Sequence, residues 1–325
     1  MTAFCRRHGI PHEIVGKLVV ATREDELPRL QTLFDRGTAN GLTGLRFLSS
    51  AEAKEIEPHV SCIRAVHVPE EGIVDYASVV ATLGRELADT AVDVRTGAGV
   101  RAIHRRGDGW TITTDDTEHS ADFFVNCAGL QSDRIASLAG EVPLCRIVPF
   151  RGEYFLLRKD RQHLVRNLIY PVPDPAFPFL GVHFTRMIRG GIECGPNAVL
   201  AMSREGYRAR QISLRDLAGT LSFVGLWRFV ARYPRVTAFE IARSLLRSLF
   251  ARSLQRLVPE VTANDLVSGG SGVRAQAMLS DGRTVEDFLF LERPDALHVL
   301  NAPSPAATAS LQIGEEIAAR VVSAI

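Results

Sequence analysis

A cluster of prolines in the middle of the chain restricts the backbone more than any other feature of the sequence. The prolines of this cluster are Pro171, Pro173, Pro175 and Pro178. Each fixes φ and removes a backbone N–H donor, which excludes a helix and a central strand. We expect a stiff loop that carries Tyr170 and leads into a strand over residues 179–185, with His183 on that strand. A rigid loop of this kind often forms the wall of a small-molecule pocket. The alternative is a proline-rich turn on the surface, which has the same composition.

The sequence around these prolines resembles a known enzyme family. It reads Ile-Tyr-Pro-Val-Pro-Asp-Pro-Ala-Phe-Pro-Phe-Leu-Gly-Val-His-Phe-Thr and then Gly-Pro-Asn-Ala-Val-Leu-Ala. This is similar to the L-2-hydroxyglutarate oxidases/dehydrogenases, FAD enzymes of the D-amino-acid-oxidase-like superfamily. The likeness returns at residues 272–277 and 301–314, and weaker similarity covers nearly the whole chain. The resemblance implies FAD-dependent oxidation of L-2-hydroxyglutarate to 2-oxoglutarate, with electrons passed to a quinone or to oxygen. The long match at residues 169–200 speaks against an amino-acid oxidase.

The resemblance also implies a fold. We expect a mixed α/β (α+β) protein, in which an incomplete FAD-binding Rossmann-like domain is interleaved with an antiparallel-sheet substrate domain. The FAD-binding domain is assigned to residues 1–9, 75–140 and 268–325. The substrate domain is assigned to residues 10–74 and 141–267.

One part of the family pattern is absent from the sequence. The family begins with a βαβ unit of about 30 residues or more that carries Gly-x-Gly-x-x-Gly. Here Met1 falls in the helix that follows that unit, so we expect a truncated chain. Gly97-x-Gly99-x-x-Ala102 matches the loose fingerprint, but the alternating residues after it predict a strand and not the required helix. The alternative to an active enzyme is therefore a non-catalytic fragment that does not retain flavin.

Oxidation of a 2-hydroxy acid requires a cation for the carboxylate and a base for the hydroxyl proton. Arg274 is the candidate cation, because a guanidinium binds a carboxylate bidentately and its place matches the superfamily position. Arg151 is assigned to the second carboxylate, with an exposed ion pair as the alternative. His183 is the candidate base, with a buried, hydrogen-bonded histidine as the alternative. Tyr170 and Asn197 are expected to position the hydroxyl group or the distal carboxylate.

The resemblance implies FAD contacts in three parts of the chain. Val100 matches a position that contacts adenine through its backbone. Ala128 and Gly129 end a buried strand, where small residues let the backbone approach a ligand, although an ordinary strand-to-helix turn looks the same. The other positions are Gly272, Asn301, Ala302, Pro303, Ser304 and Ala306. A helix over residues 306–322 would direct its N-terminal amides at the pyrimidine edge of the flavin.

Local patterns predict several further elements. Asp75 is expected to cap a helix over residues 76–88, and Ser132 or Asp133 to cap the helix after Gly129. A strand is expected at residues 92–95. Residues 204–257 are predicted to be helical. Their apolar stripes are Phe223, Leu226, Trp227 and Val230, and then Ile241, Leu245, Leu249 and Leu254.

Charge and cysteine content limit the class of partner. The chain has 38 Lys and Arg against 37 Asp and Glu, so nothing indicates nucleic acid as a partner. Its 5 cysteines contain no Cys-x-x-Cys pair, which argues against a disulfide framework or a metal site and favours a reducing compartment. We expect a cytoplasmic protein. The arginines between the helical stripes are typical of a solvated face or of peripheral contact with anionic lipid at the inner face of the membrane.

Overall fold

The structure is a computed structural model that describes residues 1–115, 117–174, 181–303 and 305–325. Its helices are α1 (Thr2–Arg7), α2 (Leu27–Ala39), α3 (Ser50–Ile56), α4 (Tyr76–Ala88), α5 (Ser132–Leu138), α6 (Leu214–Leu221), α7 (Val224–Arg232), α8 (Pro234–Leu245), α9 (Arg247–Gln255) and α10 (Ala306–Ala324). Its strands are β1 (His12–Ile14), β2 (Lys17–Ala21), β3 (Arg46–Ser49), β4 (Arg64–Val68), β5 (Gly72–Val74), β6 (Val100–Arg106), β7 (Gly109–Thr114), β8 (Glu118–Ala121), β9 (Phe124–Asn126), β10 (Arg146–Leu157), β11 (Leu168–Pro171), β12 (His183–Arg186), β13 (Ile192–Gly195), β14 (Val199–Leu200), β15 (Leu266–Met278), β16 (Leu289–Arg293) and β17 (Ala296–Asn301).

The largest sheet has 9 strands in the order β14-β10-β13-β12-β11-β2-β4-β3, with β15 paired to β10. Only β11 and β2 are parallel among its described neighbours. Tyr170 therefore lies on an interior strand, and its predicted placement in a loop is wrong. The reason is that Pro171 occupies the last position of β11, so the residues before it still pair normally with β2. Residues 175–180, with two of the prolines and the start of the predicted strand, lie outside the described residues.

The two faces of this sheet differ in what covers them. On one face, Phe250 and Leu254 of α9 pack with the fully buried Leu18, Ile169 and Phe184 in the largest apolar cluster. Side chains alternate between faces along a strand, so the residues on either side of these three must point the other way. That second face lines the cavity described below.

Two smaller sheets lie beside the large one. β9 and β17 are parallel neighbours, with β16 antiparallel at the edge of β17. β6, β7 and β8 form an antiparallel meander, which confirms that a strand follows Gly99 and not a fingerprint helix. The strand predicted at residues 92–95 is wrong, because Val92 and Val94 are exposed and no described strand pairs with them. Two alternating valines do not form a strand without a partner.

The helix N-termini follow the predictions in part. Asp75 caps α4 as expected, with its carboxylate accepting from the Ser78 backbone N–H at 3.4 Å and the Ser78 hydroxyl at 2.8 Å. Neither Ser132 nor Asp133 caps α5, so that prediction is wrong. Ser132 donates to the Leu300 carbonyl instead, at 3.3 Å. Asp133 is buried and ion-paired with Arg204. A buried carboxylate is stabilised more by a paired guanidinium than by the amides at a helix end, so Asp133 does not cap α5.

The segment 204–257 is helical from Leu214 onwards, and only part of each predicted stripe is buried. Leu226 and Leu254 belong to the core, whereas Trp227 is 54% exposed and Leu245 is 77% exposed. The short helices turn at residues 233 and 246, so one helical period does not carry through the segment. Among the described residues, none of the helices combines the length and the apolar character that crossing a bilayer requires.

Candidate active site

A cavity of about 1100 Å³ lies on the second face of the large sheet. The alternation of side chains explains which residues reach it. From β2 it receives Lys17 and Val19, from β11 Leu168 and Tyr170, from β12 His183 and Thr185, and from β15 Arg274 and Gln276. The start of α10 and several residues of other segments, among them Glu71 and Tyr154, also line it. The structure thus brings the predicted His183, Arg274 and Tyr170 into one cavity.

His183 is held as a neutral imidazole. Its side chain is buried, and Nδ1 lies 3.0 Å from the Gly181 carbonyl oxygen, so Nδ1 carries the proton and donates it to that bond. The other nitrogen, Nε2, then carries the lone pair. The pKa of His183 is lowered to about 4, chiefly by burial and in smaller part by the charges of Arg274 and Lys17, while the bond to Gly181 opposes the shift. At neutral pH the ring is therefore unprotonated, and the lone pair of Nε2 is available to a substrate hydroxyl group.

Tyr170 fixes the plane of that imidazole. Its ring stacks on the His183 ring with the centroids 4.0 Å apart, and the Lys17 ammonium lies 5.3 Å from the Tyr170 ring centroid. The Tyr170 hydroxyl lies 3.5 Å from the Thr185 hydroxyl. Burial raises the pKa of Tyr170, so the phenol keeps its proton and stays a hydrogen-bond donor. Lys17, Tyr170 and His183 thus form one continuous row of contacts.

Arg274 lies within the long pairing of β15 with β10, opposite Phe150 in the register. Burial lowers its pKa, and the neighbouring Tyr154 and Glu240 oppose that shift. An arginine remains charged under such a shift, because its ordinary pKa is far above neutrality. The cavity therefore holds a preorganised guanidinium that is suited to bidentate recognition of a carboxylate.

Arg151 and Asn197 lie outside the described lining of the cavity, so the structure does not bring them together with His183 and Arg274, and their contact with substrate stays a prediction. Arg151 is buried, and its Nη2 donates to Glu153 Oε1 at 2.8 Å. Asn197 donates from Nδ2 to Glu153 Oε2 at 2.8 Å and accepts from the Glu153 backbone N–H at 2.8 Å. The physical reason is the register, which puts Arg274 opposite Phe150 and so turns Arg151 to the other face.

Sequence reasoning missed several polar residues of the cavity. These are Lys17, Glu71, Tyr154, Thr185 and Gln276. Two of them had a usable signal. Lys17 begins an apolar strand and alternates with its buried residues. Tyr154 likewise shares a face with Phe150. Glu71 comes from the turn before β5, and no local pattern connects that turn to the cavity.

The start of α10 supports the prediction that this end of the cavity suits a flavin. Ala302, Pro303, Pro305 and Ala306 line the cavity there, together with Asn301. No described side chain caps the helix at Pro305, so its N-terminal amides and positive dipole end remain available to a ligand. Asn301 supports the loop by donating to the Asp287 carbonyl at 2.7 Å and to the Val285 carbonyl at 3.2 Å. Ser304 lies outside the described residues.

The remaining predicted cofactor residues lie on other elements. Ala128 and Gly129 are exposed just beyond the carboxyl end of β9, and Gly129 has a φ of 52° that favours glycine. Ligands of α/β sheets bind beyond the carboxyl ends of parallel strands, and β9 is such a strand. Val100 begins β6, and Gly272 in β15 has open space where a side chain would extend. These positions are compatible with the expected FAD contacts, which stay predictions.

The exposed small residues at the end of a parallel strand pair, and a cavity that joins a helix N-terminus to His183 and Arg274, fit a flavin-dependent oxidoreductase. The chain belongs to the family of FAD-dependent oxidoreductases (DAO), which it matches over residues 1–320. It is 45% identical over 315 residues to the L-2-hydroxyglutarate dehydrogenase of Indibacter alkaliphilus, an alignment that covers 97% of this chain and 79% of that protein. It is 40% identical over 320 residues to the L-2-hydroxyglutarate dehydrogenase of Escherichia coli K12, covering 98% of this chain and 76% of that protein.

Solved structures show the same fold. The FAD-bound L-α-glycerophosphate oxidase of Mycoplasma pneumoniae superimposes with a TM-score of 0.75 at 19% identity, covering 96% of this chain and 73% of that one. Glycine oxidase from Geobacillus kaustophilus superimposes with a TM-score of 0.68 at 17% identity, covering 99% and 75%. These comparisons confirm the predicted family, its mixed α/β fold and its FAD dependence.

Proposed function

We propose that this protein oxidises L-2-hydroxyglutarate to 2-oxoglutarate with FAD as its cofactor. The observation that carries the proposal is the placement of Arg274, His183 and the N-terminus of α10 around one cavity. This arrangement provides a carboxylate site, a proton acceptor and a flavin-compatible helix end within reach of one small molecule. The identity to dehydrogenases of that name supports the choice of substrate.

Arg274 binds the carboxylate next to the reacting carbon. Its two parallel N–H donors orient the hydroxy acid, and its position within a paired strand limits how far the side chain can move. Tyr154, which is hydrogen-bonded to Arg274, holds the guanidinium in that orientation. The contribution of Arg274 is therefore both affinity and alignment.

His183 Nε2 accepts the proton of the substrate hydroxyl group. The bond from Nδ1 to the Gly181 carbonyl selects the tautomer, and the stacked Tyr170 fixes the ring plane. FAD supplies the hydride acceptor when it is bound, and the N-terminus of α10 and the residues of that loop would hold its pyrimidine edge. Exclusion of water by the buried sheet face strengthens each of these polar interactions.

The predicted division of the chain into two domains is part of this proposal. Residues 10–74 and 141–267 supply the strands that carry Lys17, Tyr170 and His183, and we propose that they form the substrate domain. Residues 1–9, 75–140 and 268–325 supply β6–β9, β16, β17 and α10, and we propose that they bind FAD. Val100, Ala128 and Gly129 would contact its adenosine part, and Gly272 with residues 301–306 its isoalloxazine.

We further propose a quinone or oxygen as electron acceptor and peripheral contact with the inner face of the membrane. The supporting observation is the exposure of Trp227, Ile241 and Leu245 among the arginines of α7 and α8. Flotation with anionic and with neutral vesicles tests this contact. Binding that requires anionic lipid supports it, and absence of the protein from both vesicle fractions contradicts it.

The experiment that tests the proposed activity is an anaerobic absorption titration of the purified chain after reconstitution with FAD. Retained flavin bands that bleach on addition of L-2-hydroxyglutarate, and not on addition of an L-amino acid, support the proposal. A chain that retains flavin but does not bleach contradicts it. A chain that retains no flavin supports the alternative of a non-catalytic fragment.

A further inference from the structure

Lys17 is the second cation of the cavity. Among the described lining residues, Lys17 and Arg274 are the ones with cationic side chains. The strand order β15-β10-β13-β12-β11-β2 puts Arg274 on one side of His183 and Lys17 on the other. A substrate that reacts at His183 therefore has a cation on either side of it.

The contacts of Lys17 connect it through Tyr170 to the proposed base. Its Nζ lies 5.3 Å from the centroid of Tyr170, whose ring stacks on His183 at 4.0 Å. Its side chain is 20% exposed, and it is ion-paired with Glu71, which is 40% exposed and also lines the cavity. An ammonium group has three donors, so Lys17 is able to bind a ligand carboxylate while it keeps Glu71.

The Lys17–Glu71 pair is not needed to connect the two segments on which it stands. The Glu71 carbonyl already accepts from the backbone N–H groups of Val15 at 3.0 Å and Gly16 at 2.9 Å. A further, partly exposed ion pair at the same point is not needed to hold the two segments together. A role in ligand recognition explains why both charged side chains face the cavity.

We propose that Lys17 binds the distal carboxylate of a dicarboxylic 2-hydroxy acid, and that the like charge of the neighbouring Glu71 opposes that carboxylate and so limits the affinity. This inference rests on the proposed function and names the residue that selects dicarboxylates over monocarboxylates. Arg274 would bind the carboxylate at the reacting end of either class. Lys17 would add binding energy only when a second carboxylate is present.

The test is isothermal titration of the full chain with glutarate and with pentanoate, which have equal chain length and differ in one carboxylate. We expect Lys17→Met to weaken glutarate binding by about tenfold to a hundredfold, as for the loss of a charged hydrogen bond, with pentanoate affinity unchanged. Glu71→Gln should tighten glutarate binding and leave pentanoate unaffected. Lys54→Met, at an exposed lysine of α3, is the matched control and should change neither.

Two results would overturn the role of Lys17: an equal loss of both ligands in Lys17→Met, or wild-type affinity for glutarate in that variant. Lys17→Arg keeps the charge and should retain the preference for glutarate, which separates charge from any effect on folding. A wild-type chain that bleaches with L-2-hydroxyglutarate while Lys17→Met loses no selectivity contradicts this inference alone. A wild-type chain that neither binds glutarate nor bleaches contradicts the proposed function together with it.

Discussion

The imidazole of His183 and the phenol ring of Tyr170 stack at an interplanar angle of 18°, with their centroids 4.0 Å apart. The stacking follows from strand pairing. Ile169 lies opposite Phe184 in the antiparallel register, so the next residue on each strand brings Tyr170 beside His183 on the other face. The proposed base is therefore oriented by the backbone of two paired strands.

Replacement of the proposed base tests its role. We expect His183→Gln to lower kcat by about a hundredfold or more, because Gln keeps a donor but has no basic nitrogen. Single-turnover bleaching of the flavin with L-2-hydroxyglutarate measures the affected step. His104→Gln, at an exposed histidine of β6, is the control. An unchanged bleaching rate in His183→Gln would remove His183 from the chemistry.

The depressed pKa of His183 predicts how stability depends on pH. Its pKa falls from 6.5 to about 4 on folding, so between these values the unfolded chain binds a proton that the folded chain does not. The free energy of unfolding is therefore unaffected by this titration above pH 6.5, and it decreases as the pH falls from 6.5 towards 4. The loss amounts to roughly 3 kcal/mol. Urea unfolding over this range should show a shallower pH dependence in His183→Gln than in the wild type, and identical slopes would contradict the assignment.

The guanidinium of Arg274 should be irreplaceable by another cation. Arg274→Lys keeps the charge but loses the paired donors, so we expect KM for L-2-hydroxyglutarate to rise by about tenfold or more with a smaller change in kcat. Steady-state kinetics measures both constants. Arg293→Lys, on the surface of β16 beside Glu141, is the control and should have wild-type kinetics. A variant with unchanged kcat/KM would exclude Arg274 as the carboxylate site.

Two helical glycines should respond in opposite ways to the same substitution. A methyl group at Gly225 in α7 would overlap the Leu279 carbonyl oxygen and approach the Phe223 ring at 2.6 Å, so Gly225→Ala should lower the midpoint of unfolding. Gly84 in α4 has nothing within 4 Å of that position, so Gly84→Ala should raise stability by about 0.5–1 kcal/mol. Urea unfolding measures both. Stabilisation by Gly225→Ala would show that α7 packs less closely against residue 279.

Sequence alone was sufficient for the family, the α4 cap, the α10 helix and the two central residues of the cavity. The long motif at residues 169–200 identified the family. Asp75 and the helix after it follow a local rule that needs no tertiary information. His183 and Arg274 came from chemistry combined with the family resemblance, and the fold then placed them in one cavity.

What sequence alone could not supply are the relationships between distant segments. Arg151 was a reasonable second cation by charge, but only the pairing of β10 with β15 shows that it faces away from Arg274 and towards Glu153. Tyr170 was assigned to a loop because proline disfavours strands, and the parallel partner β2 lies far away in the sequence. Lys17 was overlooked for the same reason. The alternation in its strand predicts one buried and one polar face, but it does not show that the polar face lines a cavity.

The Arg274 end and the Lys17 end of the cavity differ in how far a substitution there disturbs the surrounding sheet. Arg274 lies within a strand that is paired with β10 over almost its whole length, so neighbouring substitutions disturb a large sheet. Lys17 is the first residue of β2 and Glu71 lies just before β5, so both stand at the end of a strand and not within one. Divergence of substrate range within this family should therefore concentrate at positions 17 and 71. A paralogue that has adopted monocarboxylic hydroxy acids is expected to keep arginine at position 274 and to lose the lysine.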